Sequence, residues 1–300
     1  MGLSASAIRF LAREHKNKPF IDPVLTLGRQ AVWVTYDEVK KILISEGIQP
    51  QPLKQDSNLT TKIPTQPSKF ISDIALFRLL NVEELYALDV SDYENADIIA
   101  DLNMPISDEL RGRFNLIIDG GTLEHIFDIK QAMMNISMMM KSGGRIIHLS
   151  PASNHIGHGF YSFSPGLFFD YYLANKFINP KAYIADQGPD PNNNRWKLYR
   201  YEYDSYKSLA KMFRSKYNVH TIFVAEKTDS STHNVVPIQN QFRVPQNVSP
   251  VVTSKLRQMI RSYMPSKMKR MLGPIIKRVE AAVRKMKRSE VGGLKYLGKL

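Results

Sequence analysis

The sequence lacks cysteine altogether, which excludes disulfide bonds and thiolate metal sites and fits a reducing compartment. It also lacks any apolar run near the ~20 residues that a membrane-spanning helix needs. The first residues show neither the apolar stretch nor the cleavage site of a signal peptide, so we expect a cytoplasmic protein. The hydrophobic content of 43% is that of a packed globular chain, and a disordered chain is therefore excluded.

Most of the chain also lacks net charge, although the whole carries +13. Residues 251–300 hold 14 Lys and Arg against two Glu, which leaves 27 basic and 26 acidic residues in the first 250. The excess of positive charge therefore belongs to the C-terminal segment and not to the fold. Such an asymmetry is typical of an electrostatic attachment segment.

Short apolar runs alternate with segments of helical periodicity over the first 225 residues. The predicted strands are 23–28, 84–88, 96–100, 115–118, 145–149, 182–185 and 219–225, and the predicted helices are 4–15, 36–45, 72–80, 129–140, 167–175 and 206–216. Residues 47–67 and 188–195 are loops by composition. This order predicts an α/β sandwich with a mostly parallel sheet, in which 219–225 form an antiparallel edge strand.

The stretch 114–151 predicts a strand, an acidic turn, a helix ended by Gly143-Gly144, and a second strand. A unit of this kind makes a right-handed crossover between two parallel strands. In such sheets the ligand crevice lies beyond the carboxyl ends of the strands. We therefore expect Asp119, Glu124, His125 and residues 151–158 to line a ligand site.

Together these residues resemble the SAM-dependent methyltransferases of the Rossmann-like class, over about residues 23–225. The most specific match is Asp119 with the Leu123-Glu124-His125 segment and the Lys141–Gly144 turn before the next strand. Asp89 and Asp101 end two further predicted strands, at places where the family keeps acids. The resemblance implies a Rossmann-like three-layer sandwich with S-adenosyl-L-methionine (SAM) as cofactor.

The resemblance also implies roles for individual residues. Asp89 would accept hydrogen bonds from the ribose hydroxyls, and Asp101 or its neighbours would contact adenine. The first turn, 26–30, has a single glycine where the family has two or three, so either Arg29 meets the cofactor's carboxylate or the site is degenerate. The cofactor-binding candidates are Gly28, Arg29, Asp89, Asp101, Asp119 and Gly120, and the catalytic candidates are Glu124, His125 and His158.

Several of these residues also have a purely structural interpretation. Asp89 and Asp101 suit helix caps or turns, and Glu124-His125 suits a packed helix start. His148 alternates with apolar neighbours and is predicted to be a hydrogen-bonded core histidine. No metal site is predicted, because residues 154–158 lack a convincing third ligand.

The C-terminal segment contains two amphipathic patterns, 254–264 and 274–288, with Lys and Arg opposite the apolar stripes. Helices of this kind bind anionic membrane surfaces, and we expect residues 254–288 to do so. The alternative is that the stripe docks on the body of the protein. Nucleic acid is a weaker partner, since the segment lacks interleaved aromatic residues. We divide the chain into a methyltransferase domain, 1–235, and a linker with a helical basic tail, 236–300.

These observations predict a SAM-dependent methyltransferase at the inner membrane surface, acting on a saccharide or lipid-linked envelope precursor. The alternative is a non-catalytic protein that keeps the methyltransferase fold and binds a membrane or a partner through its basic tail.

Overall fold

A computed structural model describes residues 2–53, 63, 67–189, 195–203, 213–242 and 294–300. Its helices are α1 (Ala5–Asn17), α2 (Tyr36–Ser45), α3 (Asp73–Leu79), α4 (Ile129–Met139) and α5 (Pro165–Ala174). Its strands are β1 (Gly2–Leu3), β2 (Val24–Leu27), β3 (Ala31–Val32), β4 (Leu85–Asp89), β5 (Ile98–Ile99), β6 (Phe114–Asp119), β7 (Met140–Ser153), β8 (Ile178–Asp186), β9 (Lys197–Tyr201), β10 (Val219–Glu226) and β11 (Leu294–Lys299).

The helices begin where polar side chains can cap them. Ser4, Ser72, Asp128 and Ser164 each accept a hydrogen bond from a backbone N–H of the first turn. Thr35 forms a full capping box with Glu38 at the start of α2. The predicted helices at 4–15, 36–45, 72–80, 129–140 and 167–175 are therefore confirmed, with ends that differ by a few residues.

In the described part of the chain, nine strands form one sheet in the order β11-β9-β8-β10-β7-β6-β2-β4-β5. The pairs β5–β4, β4–β2, β2–β6 and β6–β7 are parallel, whereas β10 is antiparallel to both β7 and β8. The chain leaves β2 toward β4 on one side and returns to β6 on the other. The strand order therefore reverses at β2, which makes a topological switch point.

Alternating side chains of the central strands point into two separate cores. On β6, Leu116 and Ile118 pack with residues of α1, α2 and α3, whereas Ile117 packs with residues of α4 and α5. The sheet is thus the middle layer of a Rossmann-like α/β sandwich, as the sequence predicts.

Two details differ from the sequence-based expectation. Val219–Glu226 is antiparallel, as predicted, but it lies inside the sheet, and the edge is β11, which runs antiparallel to β9. Helix α4 ends at Met139, and Gly143-Gly144 lie within β7. A Cβ on Gly144 would lie 2.8 Å from the carbonyl oxygen of Lys141, so close backbone approach requires glycine there.

The last residues of the sequence, assigned above to the tail, return to the sheet as β11. Leu300 is buried, and its backbone N–H donates to the carbonyl of Trp196. The predicted tail helices in 254–288, most of the loop 47–67 and most of the predicted helix 206–216 lie outside the described residues. Within the described ranges, no helix has the length and apolar character to cross a bilayer.

Candidate functional site

A cavity of about 540 Å³ opens at the carboxyl ends of β2, β4, β5 and β6, beside the switch point. We call it the strand-end cavity. Its lining includes Gly28, Asp89, Glu94, Asp101, Leu102, Asn103, Gly121, Thr122, His125 and Ile126, together with Gly2 and Trp33 from the N-terminal region. The volume lies within the ~300–1,000 Å³ of small-molecule sites, and the position is the usual ligand crevice of such sheets.

Gly28 forms the floor of this cavity at the end of β2. Its φ of +71° is strained for any residue with a Cβ, and its N–H donates to the carbonyl of Leu88 at 2.7 Å. An added Cβ would lie 3.3 Å from Thr122 Oγ1 and 3.6 Å from Asp89 Oδ2. The predicted turn at Gly28 therefore brings Gly28, Asp89 and Thr122 together, and its role in cofactor binding stays a prediction.

Arg29, a predicted cofactor-binding residue, lines the cavity and also takes part in buried ion pairs. Its guanidinium is buried and lies 2.7 Å from Asp97 Oδ2 and 3.4 Å from Asp73 Oδ2. It also donates to the carbonyl of Asn95. Because these partners neutralise its charge, Arg29 is not a free cation for a cofactor's carboxylate; it ties the turn after β2 to α3 and to the loop before β5.

The described lining of the cavity contains three carboxylates, those of Asp89, Glu94 and Asp101. Asp89 is half-buried, and its Oδ1 accepts from the N–H of Val90. Asp101 is exposed, and its Oδ1 accepts from both the backbone and the side chain of Asn103. Burial, together with the negative charge of Asp89, raises the pKa of Glu94. The cavity therefore has negative polarity and suits a ligand that carries positive charge and hydroxyls.

Asp119 and Gly120, both predicted to bind cofactor, are absent from the described lining of this cavity. Asp119 is fully buried and accepts from the N–H groups of Thr122 and Leu123, at 2.9 and 3.3 Å. A Cβ on Gly120 would lie 2.1 Å from Gln30 Oε1. Both residues therefore shape the turn after β6, and Gly121 and Thr122 are the ones that face the cavity.

The partner of Asp119 is His148, the predicted core histidine. Its Nδ1 lies 2.8 Å from Asp119 Oδ2, and its Nε2 lies 2.8 Å from the hydroxyl of Tyr172. Burial alone would raise the pKa of Asp119, but His148 and the backbone N–H groups of the turn lower it. The prediction for His148 is confirmed.

The three catalytic candidates lie together, with His125 lining the cavity, and we call them the Glu124 cluster. Glu124 Oε1 is 3.5 Å from His158 Nε2 and 3.9 Å from His125 Nε2. The two imidazole rings meet edge to face at 5.0 Å. Glu124 is fully buried, whereas His125 and His158 are partly exposed. Burial, together with the charge of Asp119, raises the pKa of Glu124 to about 8.

Glycines bring His158 to this cluster from the loop after β7. Gly157 and Gly159, on either side of His158, have φ values of +79° and +78°. A Cβ on Gly159 would lie 2.7 Å from the backbone oxygen of Glu124. The same oxygen accepts from the N–H of Phe160 at 2.7 Å. Residues 158–160 therefore pack closely against the turn that carries Glu124, and glycine at 159 permits this approach.

A second cavity, of about 310 Å³, adjoins the first. Both are lined by Gly2 and Trp33, and the second is also lined by Gly120, His155, His158, Trp196 and His220. His125 lines the first cavity and His158 the second. The Glu124 cluster therefore lies between two spaces, each large enough for a small ligand or part of one.

Exposed apolar side chains lie close in sequence to the residues of the cluster. Phe127 and Phe160 meet edge to face at 5.6 Å, and they are 71% and 65% exposed. Ile156, on the same loop as His158, is fully exposed. Phe163, by contrast, is buried in the core. Phe163 is thus a core residue, and we call the exposed Phe127, Ile156 and Phe160 the apolar rim.

Several lining residues gave no signal in the sequence. Gly2 and Trp33 line the cavity because β1 pairs with β3 in a short parallel ladder. Each of these strands has only two residues, which is too few to show a periodic pattern in the sequence. Glu94 lies in a loop without a recognisable motif. Trp33, as one of only two tryptophans, offered the best available hint.

No family model matches the sequence, and no curated protein matches it significantly. Solved structures of methyltransferases are similar in their chain trace. One is a Burkholderia thailandensis 1,6-didemethyltoxoflavin-N1-methyltransferase with S-adenosylhomocysteine (SAH) bound, at 11% identity, covering 75% of this chain and 80% of that one, with a TM-score of 0.36.

Two further structures show the same level of similarity. A SAM-dependent methyltransferase of Thermotoga maritima is 12% identical over 75% of this chain and 91% of that one, with a TM-score of 0.35. A Haemonchus contortus N-methyltransferase in complex with phosphomonomethylethanolamine and SAH is 12% identical over 73% of this chain and 52% of that one, with a TM-score of 0.36.

Proposed function

We propose that this chain is a SAM-dependent methyltransferase whose cofactor occupies the strand-end cavity. When bound, SAM supplies a methyl group on a positively charged sulfur. The chain's own part is to hold the cofactor, to exclude water and to place the acceptor in line with the methyl carbon.

The polarity of the cavity favours this cofactor over a dinucleotide. SAM carries a sulfonium and an ammonium group, and both are stabilised by nearby carboxylates. The lining offers Asp89, Glu94 and Asp101, while Arg29, the one Lys or Arg among its described residues, is already paired with Asp73 and Asp97. A pyrophosphate would meet repulsion here.

The observation that carries the proposal is the position of Asp89. It ends β4 beside the left-handed turn at Gly28, at the switch point of the sheet. In nucleotide-binding sheets an acid at this type of position accepts hydrogen bonds from ribose hydroxyls. The backbone at 101–103, which lies next along the cavity, is then available to the adenine edge.

The acceptor would enter through the second cavity. In that position its nucleophile would meet the Glu124 cluster, the group best placed to bind and activate it. The apolar rim of Phe127, Ile156 and Phe160 supports an acceptor with a hydrophobic part, such as a lipid-linked saccharide. We further propose that the basic residues within 254–288 bring the protein to an anionic membrane surface where such acceptors lie.

Calorimetric titration with SAM and with SAH tests the proposal. We expect both to bind, and we expect Asp89→Asn to weaken each by about 10- to 100-fold, because hydrogen bonds to a charged group contribute roughly 1.5–3 kcal/mol. Asp108→Asn is the matched control, since Asp108 is exposed and absent from the described lining of the cavity.

Unchanged binding in Asp89→Asn would place the ligand elsewhere. Failure of the wild-type protein to bind either compound would reject the assignment and favour a protein that keeps the fold without the chemistry.

A further inference from the structure

We propose that Glu124, His125 and His158 form a binding site for a divalent first-row transition-metal cation, coordinated by one carboxylate oxygen and two imidazole nitrogens. The site stands on the geometry of these three side chains and does not depend on SAM binding.

The spacing of the three ligand atoms is close to that of a metal site. One oxygen of Glu124 and one ring nitrogen of each histidine all lie within 4.8 Å of one another. Two ligands about 2.1 Å from a tetrahedral zinc ion are separated by roughly 3.4 Å. The distances from Glu124 Oε1 to the histidines, 3.5 and 3.9 Å, are near this value, so small side-chain rotations would complete the site.

Glu124 itself points to a missing ligand. Both of its carboxylate oxygens are buried, and neither has a hydrogen-bond partner within the described part of the chain. A buried carboxylate is costly unless it is paired or coordinates a metal. Imidazole nitrogens that can themselves serve as ligands lie 3.5 and 3.9 Å from its Oε1, and His158 Nε2 is also buried without a hydrogen-bond partner among the described residues.

The backbone holds these side chains in place before any ligand arrives. Asp119 fixes the turn that carries Glu124 and His125, because its Oδ1 accepts from the N–H groups at its start. Gly159 packs against Glu124 and thereby fixes the loop that carries His158. A site built from two anchored turns loses little conformational entropy when the cation binds.

The donor set selects the class of cation. Two imidazoles and one carboxylate suit zinc, iron, cobalt or nickel, whereas magnesium and calcium prefer oxygen ligands. Because the side chains of His125 and His158 are 48% and 38% exposed, the cation would keep open positions facing the two cavities. The consequence for the acceptor rests on the proposed methyl transfer: a cation here would coordinate an acceptor that offers oxygen atoms.

Cobalt titration of the untagged, chelator-treated full-length protein tests the site. Co²⁺ bound by nitrogen and oxygen ligands absorbs visible light, so its spectrum reports coordination directly. We expect one Co²⁺ per chain in the wild-type protein, displaced by Zn²⁺, and at least tenfold weaker binding in Glu124→Gln and in His158→Asn. His233 lies in the loop after β10, away from the three ligand positions in sequence. The variant His233→Asn is therefore the matched control and should bind Co²⁺ as the wild type does.

Thermal unfolding of the same proteins gives a second readout. Zn²⁺ should raise the melting temperature of the wild type and of His233→Asn, but not that of Glu124→Gln. If Glu124→Gln or His158→Asn does not fold, His125→Asn, at a partly exposed position, takes its place and should also lose cobalt binding.

Equal cobalt affinity in the wild type and in the ligand variants would overturn the proposal, as would no binding by the wild type. Calorimetry with SAH on the chelator-treated protein separates this outcome from failure of the proposed function, because each ligand is measured without the other.

Discussion

Asp119 and Glu124 are acids on the same turn, and both are fully buried, but their surroundings differ. Asp119 accepts hydrogen bonds from the turn and from His148, which lower its pKa. Within the described residues, neither carboxylate oxygen of Glu124 has a hydrogen-bond partner, and burial together with the charge of Asp119 raises its pKa to about 8. The sequence predicts that both lie at a strand end. Their separate roles depend on residues of β7 and of the following loop, about 25 to 35 positions further along the chain.

The same limit applies to the metal site. From the sequence alone, residues 154–158 lack a third ligand. The fold supplies Glu124 and His125 instead, because the left-handed glycines beside His158 turn this loop back toward β6. Local spacing cannot reveal a ligand set assembled from two distant turns.

His220 provides a prediction at the scale of a single residue. It is buried, its Nδ1 lies 2.8 Å from Gln187 Nε2, and its ring stacks on Trp196. Burial, together with the nearby His155 and His158, lowers its pKa to about 3. The unfolded chain takes up a proton below pH ~6.5, while the folded chain does not, so stability falls as the pH drops from 6.5 toward 3.

Urea unfolding at pH 7 and at pH 5.5 measures this effect. The loss of stability between the two values should be smaller by about 1 kcal/mol in His220→Gln than in the wild type. His233 is only half-buried, so His233→Gln should change the stability lost between pH 7 and pH 5.5 by less than His220→Gln does. The same pH dependence in His220→Gln and the wild type would show that His220 is protonated in the folded state.

At the scale of elements, the long periodic segments are predictable and the short ones are not. Helix α2 is predictable from the spacing of its apolar residues and from its capping residue, Thr35. Strand β2 is predictable from a short apolar run that ends at a glycine turn. Strands β9 and β11 escape prediction because pairing across the sheet defines them, and their sequences contain many Tyr and Lys residues. The antiparallel β10 is predicted, but its interior position depends on β8 pairing beyond it.

The position of β11 determines how the basic segment should be tested. Truncation after residue 250 would also remove a strand of the sheet. A better variant replaces basic residues with Gln and keeps the length, at Lys267, Lys269, Arg270, Lys285, Lys287 and Arg288. Each basic residue near an anionic surface contributes about 1 kcal/mol, so we expect most of the binding to be lost.

Liposome flotation measures that loss. The wild-type protein should float with vesicles that contain anionic lipid and remain below with neutral vesicles, and the substituted protein should remain below with both. Equal flotation of the two proteins on anionic vesicles would reject the membrane role of residues 254–288.

At the scale of the whole molecule, the candidate site exists only because distant elements meet. The strand-end cavity combines the ends of four strands with the β1–β3 ladder, and the second cavity adds residues of β9 and β10 or their flanks. The acids at strand ends were predictable from pattern and resemblance. The two cavities, their shared boundary and the neutralised Arg29 were not, since each depends on packing between layers.

The most direct test of the central claim is a crystal structure of the protein grown with SAH. We expect SAH in the strand-end cavity, with its ribose hydroxyls within hydrogen-bonding distance of the Asp89 carboxylate and its adenine beside residues 101–103. Crystals that show the cavity without SAH at saturating concentration, or SAH bound at another place, would contradict this expectation.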